Sequence, residues 1–98
     1  MSLPVILRPA AQADIQAAYD ALERVRAGLG RRFAARLGDT LQRIEMMPEL
    51  YGLVWQDVRA ARVRQFRHLV YYVVFPDRVE VLAVIHGSVD PSAWQSRV

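Results

Sequence analysis

The sequence predicts an α+β fold, in which a helical hairpin packs against a mainly antiparallel sheet in the order β-α-α-β-β-β. Helical periodicity is confined to residues 9–47, and strand-forming segments flank it on both sides. With 53% apolar and 23% charged residues, the composition is that of a globular chain. A chain of 98 residues buries one core, so we expect a single domain over residues 1–98.

The first elements are a short strand and an amphipathic helix. Residues 4–8 are apolar and β-branched, and they end at Pro9, which suits the first turn of a helix because its missing N–H is not needed there. Between residues 10 and 25 the apolar side chains recur every three or four positions and share one helical face. They are Ile15, Ala18, Tyr19, Leu22 and Val25.

A second helix is predicted from Arg31 to Met47. Gly28 and Gly30 interrupt the first helix, and Pro48 stops the second. Because the break is short, the two helices should form an antiparallel hairpin. The apolar stripe of the second helix consists of Leu29, Phe33, Leu37, Leu41 and Ile44.

The C-terminal half is predicted to be mostly strand. Residues 48–57 lack periodicity and are interpreted as a loop, whereas residues 59–66 alternate so that Arg62 and Arg64 lie on one side of a strand. Two runs of strand formers, 69–75 and 79–85, predict a hairpin. Since two helices cover only one face of a sheet, we expect an exposed aromatic surface on the other face. Tyr71 and Tyr72 alternate, so one should be buried and the other exposed.

Positive charge is concentrated in one segment. Residues 57–67 contain four arginines and one acidic residue, Asp57, so the charge of this segment is +3, equal to the net charge of the whole chain. The arginines are Arg59, Arg62, Arg64 and Arg67. Such a patch indicates either contact with an acidic partner or phosphate backbone, or a solvated face.

Other classes of function find no support in the sequence. There is no cysteine and the two histidines lack metal-ligand spacing, so we expect no disulfide, metal site or cofactor. No apolar run reaches the length of about 20 residues that spans a membrane, and we expect a cytoplasmic protein. His86 is interpreted as a strand end bonded to nearby backbone, and His68 as a solvated turn residue. Asp90-Pro91 is interpreted as a turn, with Trp94 packed back on the core.

An ordered set of short phrases along nearly the whole chain resembles the ParE/RelE superfamily of bacterial toxins. These phrases are Val5 to Ala11 with Asp14 and Ile15, Gly28-Leu29-Gly30 with Phe33, Ile44 with Pro48 to Tyr51, Val63-Arg64, Phe66, Val70 to Tyr72, Val79 to Gly87, Asp90-Pro91 and Trp94. The resemblance implies the toxin component of a type II toxin–antitoxin system. Its implied partner is a cognate antitoxin protein, with which it forms a hetero-oligomer.

The resemblance leaves three activities open. A ParE-like toxin inhibits DNA gyrase by binding, whereas a RelE-like toxin is an endoribonuclease that cuts mRNA on the ribosome, here with Arg62, Arg64 and His86 as candidate catalytic residues. The tail after His86 lacks the basic and tyrosyl residues of ribonucleolytic relatives, which favours the ParE-like reading without catalysis. Ser88 and Val89 stand where ParE-like sequences commonly carry arginine, so a non-toxic relative that only binds antitoxin is the third reading. The candidate target- or antitoxin-binding residues are Arg59, Arg62, Arg64, Arg67, Tyr71 and Tyr72.

Overall fold

A computed structural model describes residues 2–98. Its elements are β1 (Val5–Leu7), α1 (Pro9–Val25), α2 (Leu29–Met46), β2 (Leu53–Trp55), β3 (Val58–Arg62), β4 (His68–Val74), β5 (Val79–His86) and α3 (Ser92–Gln95). The five strands form one sheet in the order β1-β5-β4-β3-β2, in which β1 is parallel to β5 and the other neighbours are antiparallel. The predicted α+β class is confirmed. Within residues 2–98, no helix has the length and apolar character needed to cross a membrane.

The helical hairpin is closed at the turn by a side chain of α1. Glu23 accepts hydrogen bonds from the backbone N–H groups of Gly28 (3.0 Å) and Arg31 (3.2 Å) and so caps the start of α2. These bonds stabilise the carboxylate and hold the pKa of Glu23 below its usual value, with the largest effect from the bond of Gly28. Gly28 has a φ of +91°, a conformation that glycine adopts without strain.

Both helices pack on the sheet mainly through the stripes that the periodicity predicts. Phe33, Leu37 and Ile44 of α2 are buried, and Ile15 of α1 packs against the same core. Val25 was expected in the stripe, but 76% of it is exposed. It is the last residue of α1, and the chain leaves the helix in an extended conformation at Arg26.

Two predicted boundaries in the middle of the chain are wrong. The segment read as a loop contains β2, which pairs with β3 through Leu53 with Arg59 and Trp55 with Val58. The strand expected to reach Phe66 ends at Arg62, because a turn with Gln65 at a φ of 71° begins there. A three-residue strand is too short for periodicity to reveal it.

The second face of the sheet is covered from within the chain, so the expected exposed aromatic surface is wrong. After β5 the chain turns through Asp90, whose Oδ1 accepts the Ser92 N–H at 2.8 Å. This turn places α3 over the sheet, where Trp94 stacks on Tyr71 at 4.4 Å between ring centroids and meets Trp55 edge-on at 5.9 Å. The predicted turn at Asp90-Pro91 and the packing of Trp94 are therefore confirmed.

A polar cluster closes the part of the β5 edge that β1 does not reach. β1 pairs with β5 only through residues 79–81. Beyond it, Asp14 accepts the Val84 N–H (3.1 Å), and Arg97 donates both to Asp14 (2.6 Å) and to the Leu82 carbonyl (3.1 Å). The C-terminal tail is thereby tied to α1 and to the sheet.

Candidate binding surface

The positively charged surface predicted from sequence forms one wall of a groove between α2 and β3. The groove has a volume of about 440 Å³ and carries three guanidinium groups against one carboxylate. We call it the basic groove. It is lined by Asp39, Thr40, Gln42, Arg43, Met46, Met47, Tyr51, Arg62 and Arg64.

The groove exists because β2 pairs with only the first part of β3. In the register, β2 pairs only with Val58 and Arg59. On the side of β3 that faces away from β4, Arg62 therefore has no neighbouring strand. On α2, Asp39, Arg43 and Met46 are spaced by four and three residues, which places them on one face of the helix. This face of α2 and the end of β3 form the two sides of the groove.

Of the four arginines predicted as a cluster, the structure brings only Arg62 and Arg64 into the groove. Arg59 instead donates through Nη1 to the carbonyls of Tyr51 (2.6 Å) and Glu49 (3.4 Å), where it holds the segment before β2 against β3. Arg67 is exposed and does not line the groove.

Arg43 is a groove residue that sequence reasoning missed. It lies outside the apolar stripe of α2, where a charged residue reads as part of a solvated face. The only signal in the sequence was its spacing from Asp39 and Met46, which is informative once β3 is known to lie alongside.

Neither tyrosine proposed for partner binding exposes its ring. Tyr71 is covered by Trp94, and Tyr72 is fully buried with its hydroxyl donating to the Pro48 carbonyl at 2.8 Å. Burial raises the pKa of Tyr72 to about 12 and also raises the pKa of Tyr71. The expectation that one of them is exposed is wrong because both faces of the sheet are covered.

The two histidines face each other across β4 and β5, away from the basic groove. His86 ends β5, and its Nδ1 accepts the Ser88 N–H at 3.1 Å, as predicted. His68 was expected in solvent, but it is partly buried against Phe33 at 4.8 Å between ring centroids, and burial lowers its pKa. Because β4 separates β5 from β3, the structure does not bring His86 into one groove with Arg62 and Arg64.

Metal binding has no site of the usual kind in the part of the chain that the structure describes. Among residues 2–98, no three His, Asp or Glu side chains come together as ligands for one ion. The groups that the basic groove offers are guanidinium donors, which bind carboxylates and phosphates in a bidentate manner.

The structure thus combines a small α+β fold with an arginine-lined groove at the open edge of its sheet, and comparison with known proteins shows the family. The sequence profile described as "ParE toxin of type II toxin-antitoxin system, parDE" matches residues 5–91. The chain therefore belongs to the ParE toxin family, and the resemblance stated from its sequence is confirmed.

Two solved structures have the same fold at low sequence identity. One, from the chromosomal ParDE toxin–antitoxin system of P. aeruginosa, superposes with a TM-score of 0.77 at 11% identity and covers 87% of this chain and 96% of that one. The other, a YoeB dimer from Staphylococcus aureus, superposes with a TM-score of 0.61 at 13% identity and covers 88% of this chain and 98% of that one. No curated protein sequence matches the chain.

Proposed function

We propose that this ParE-family toxin acts in the cytoplasm by binding DNA gyrase, without catalysis, and that a cognate antitoxin neutralises it. The observation that carries the proposal is the family match over residues 5–91. The similar fold in a ParDE toxin–antitoxin system supports the antitoxin as partner.

The basic groove supports binding as the mode of action. Arg43, Arg62 and Arg64 together can hold an acidic segment through charge-assisted hydrogen bonds. RNA cleavage additionally needs groups that move protons at the phosphate. His86, the candidate for that role, lies on β5 outside the groove, which favours a binding function over the ribonuclease reading.

The test is to induce the chain with and without the gene that lies beside it, and to assay purified protein against DNA gyrase. We expect induction alone to stop growth, co-expression of the neighbouring gene to restore it, and the purified protein to block supercoiling. Normal supercoiling together with codon-periodic cuts in mRNA would contradict the proposal and show that the chain is a ribonuclease. Harmless induction would indicate the non-toxic relative that Ser88 and Val89 suggest.

A further inference from the structure

The turn of the helical hairpin carries more positive charge than the basic groove. Residues 24–32 contain four arginines and no acidic residue, a charge of +4, whereas the whole chain has a net charge of +3. The rest of the chain therefore carries a net charge of −1. We call this end of the hairpin the basic tip. Its arginines are Arg24, Arg26, Arg31 and Arg32.

The guanidinium groups of the basic tip have no carboxylate partner. All four arginines are exposed, and within residues 2–98 none of them forms an ion pair. The carboxylate of Glu23 is turned into the hairpin, where it accepts the N–H groups of Gly28 and Arg31, so it offsets the charge of the tip only in part. The arginines that do have a carboxylate partner, at 3.2 Å or less, are Arg8, Arg36, Arg78 and Arg97.

The basic tip is open to solvent and lies apart from the basic groove. A Cβ at Gly28 would have nothing within 4 Å, and 76% of Val25 is exposed, so the turn stands clear of the sheet and the tail. None of the four arginines lines the basic groove. On α2, Arg43 of that groove follows Arg32 by eleven residues, which is about 16 Å along the helix axis.

Shape and charge together select the class of partner. A small anion needs donors that converge around it in a concave site, which an open turn does not provide. A protein partner or a membrane surface needs apolar anchors, and among the described residues of the tip Val25 is the only large apolar side chain that is exposed. An extended polyanion needs neither feature. The backbone of double-stranded DNA is such a polyanion, with one charge per about 1.7 Å of its axis.

The width of the hairpin determines which part of DNA the tip contacts. Two packed helices lie about 8–10 Å apart and each is about 10–12 Å wide, so together they are broader than the major groove of about 12 Å. The arginines therefore reach phosphates rather than base edges. Phosphate contacts position a protein on the duplex and carry no sequence information.

We propose that the basic tip binds the phosphate backbone of double-stranded DNA without sequence preference. Guanidinium groups bind phosphate in a bidentate manner, and the tip presents four of them without a competing carboxylate. This activity goes beyond the proposed function and does not depend on it, because the tip is separate from the basic groove.

The experiment measures binding of the full chain to a labelled DNA duplex of about 20 base pairs, two helical turns, by fluorescence anisotropy. If four phosphates are neutralised, the logarithm of the association constant falls with the logarithm of the salt concentration with a slope of about −3.6. Binding should therefore weaken by about 150-fold between about 50 and 200 mM salt. A second duplex of the same length and unrelated sequence should bind equally well.

A pair of double variants locates the contact. Arg26→Gln with Arg32→Gln should reduce the magnitude of the salt slope by about 2 and weaken binding at about 150 mM salt by about 30-fold. The matched control, Arg64→Gln with Arg67→Gln, removes the same charge from two exposed arginines of the turn after β3 and should change neither quantity. Since all four side chains are exposed, thermal unfolding of both variants should match that of the unsubstituted chain.

Three results would overturn the proposal. The first is a full chain that does not bind the duplex, including one that binds vesicles containing phosphatidylserine instead. The second is equal weakening by the control pair, which would show that DNA responds to overall charge or lies in the basic groove. The third is strong discrimination between the two duplexes, which phosphate contacts do not produce. Growth arrest and gyrase inhibition are not measured in this experiment, so its failure leaves the proposed function standing.

Discussion

Asp14 joins three parts of the chain through one carboxylate. It accepts the Val84 N–H of β5 and two guanidinium nitrogens of Arg97, at 2.6 and 3.3 Å, while sitting on α1. In the sequence, Asp14 stands among the residues that carry the family resemblance, but nothing there indicates that the C-terminal tail returns to it.

Replacing Asp14 by alanine should therefore destabilise the chain more than an average surface change. Asp14→Ala leaves the Val84 N–H and Arg97 without their acceptor, and we expect a loss of about 1–3 kcal/mol in the free energy of unfolding. Asp20→Ala, on the exposed side of the same helix, should cost about 0.5 kcal/mol or less. Urea denaturation of the two variants measures both values, and equal losses would show that the Asp14 cluster does not hold the tail.

Tyr72 makes the folded state sensitive to high pH. Its folded pKa of about 12 lies above the value near 10 of an unfolded tyrosine, so its contribution to stability is fully present below pH 10 and is lost as the pH rises through 12. The chain has no lysine, so side-chain amines do not titrate in the same range.

The unfolding temperature should accordingly fall between about pH 10 and pH 12. Tyr72→Phe should make this fall shallower, although it also removes the hydrogen bond to Pro48 and lowers stability at neutral pH. Tyr19→Phe, at a partly exposed tyrosine, serves as control. Absorbance at alkaline pH follows the ionisation of the Tyr72 phenol in the folded protein. Ionisation near pH 10 would contradict the burial of this side chain.

At the scale of elements, the contact between α1 and α2 depends on one glycine. A Cβ at Gly30 would lie 2.7 Å from the Tyr19 carbonyl oxygen and 2.7 Å from Glu23 Cγ, so the helices approach too closely for any side chain. Gly38, further along the same helix, has nothing within 4 Å of the corresponding position.

Alanine at these two glycines should have opposite effects. Gly30→Ala forces the helices apart and should lower the free energy of unfolding by about 1–3 kcal/mol. Gly38→Ala should raise it by up to about 1 kcal/mol, because alanine has the higher helix propensity. Thermal or urea unfolding of each variant provides the comparison, and stabilisation by both would show that the hairpin is less tightly packed.

The long elements and the short strand β1 could be predicted from sequence, whereas the short elements β2 and α3 could not. Helices α1 and α2 and strands β4 and β5 each span at least seven residues, enough for their patterns to show. Strand β2 and helix α3 have three and four residues and owe their conformation to tertiary contacts, with Arg59 and with Tyr71 respectively. Both helped to change the candidate site, since β2 leaves the edge of β3 at Arg62 open and α3 covers Tyr71.

At the scale of the whole molecule, the surface available to a partner lies along an edge rather than on a sheet face. The apolar strands β4 and β5 suggested a face that a partner must cover, but the hairpin and α3 cover both faces within the chain. At the edge, Met46 and Met47 line both the basic groove and a second, apolar groove of about 670 Å³. The local charge in the sequence indicated two residues of the basic groove, Arg62 and Arg64, and the apolar groove emerged only from the fold.

Hydrogen–deuterium exchange of the full chain, free and bound to the product of its neighbouring gene, tests the central claim most directly. We predict that binding slows amide exchange in residues 43–54 and 62–64 and leaves α3 and the turn between α1 and α2 unchanged. Slower exchange confined to α3 and the sheet face beneath it, with residues 43–54 unaffected, would contradict the account.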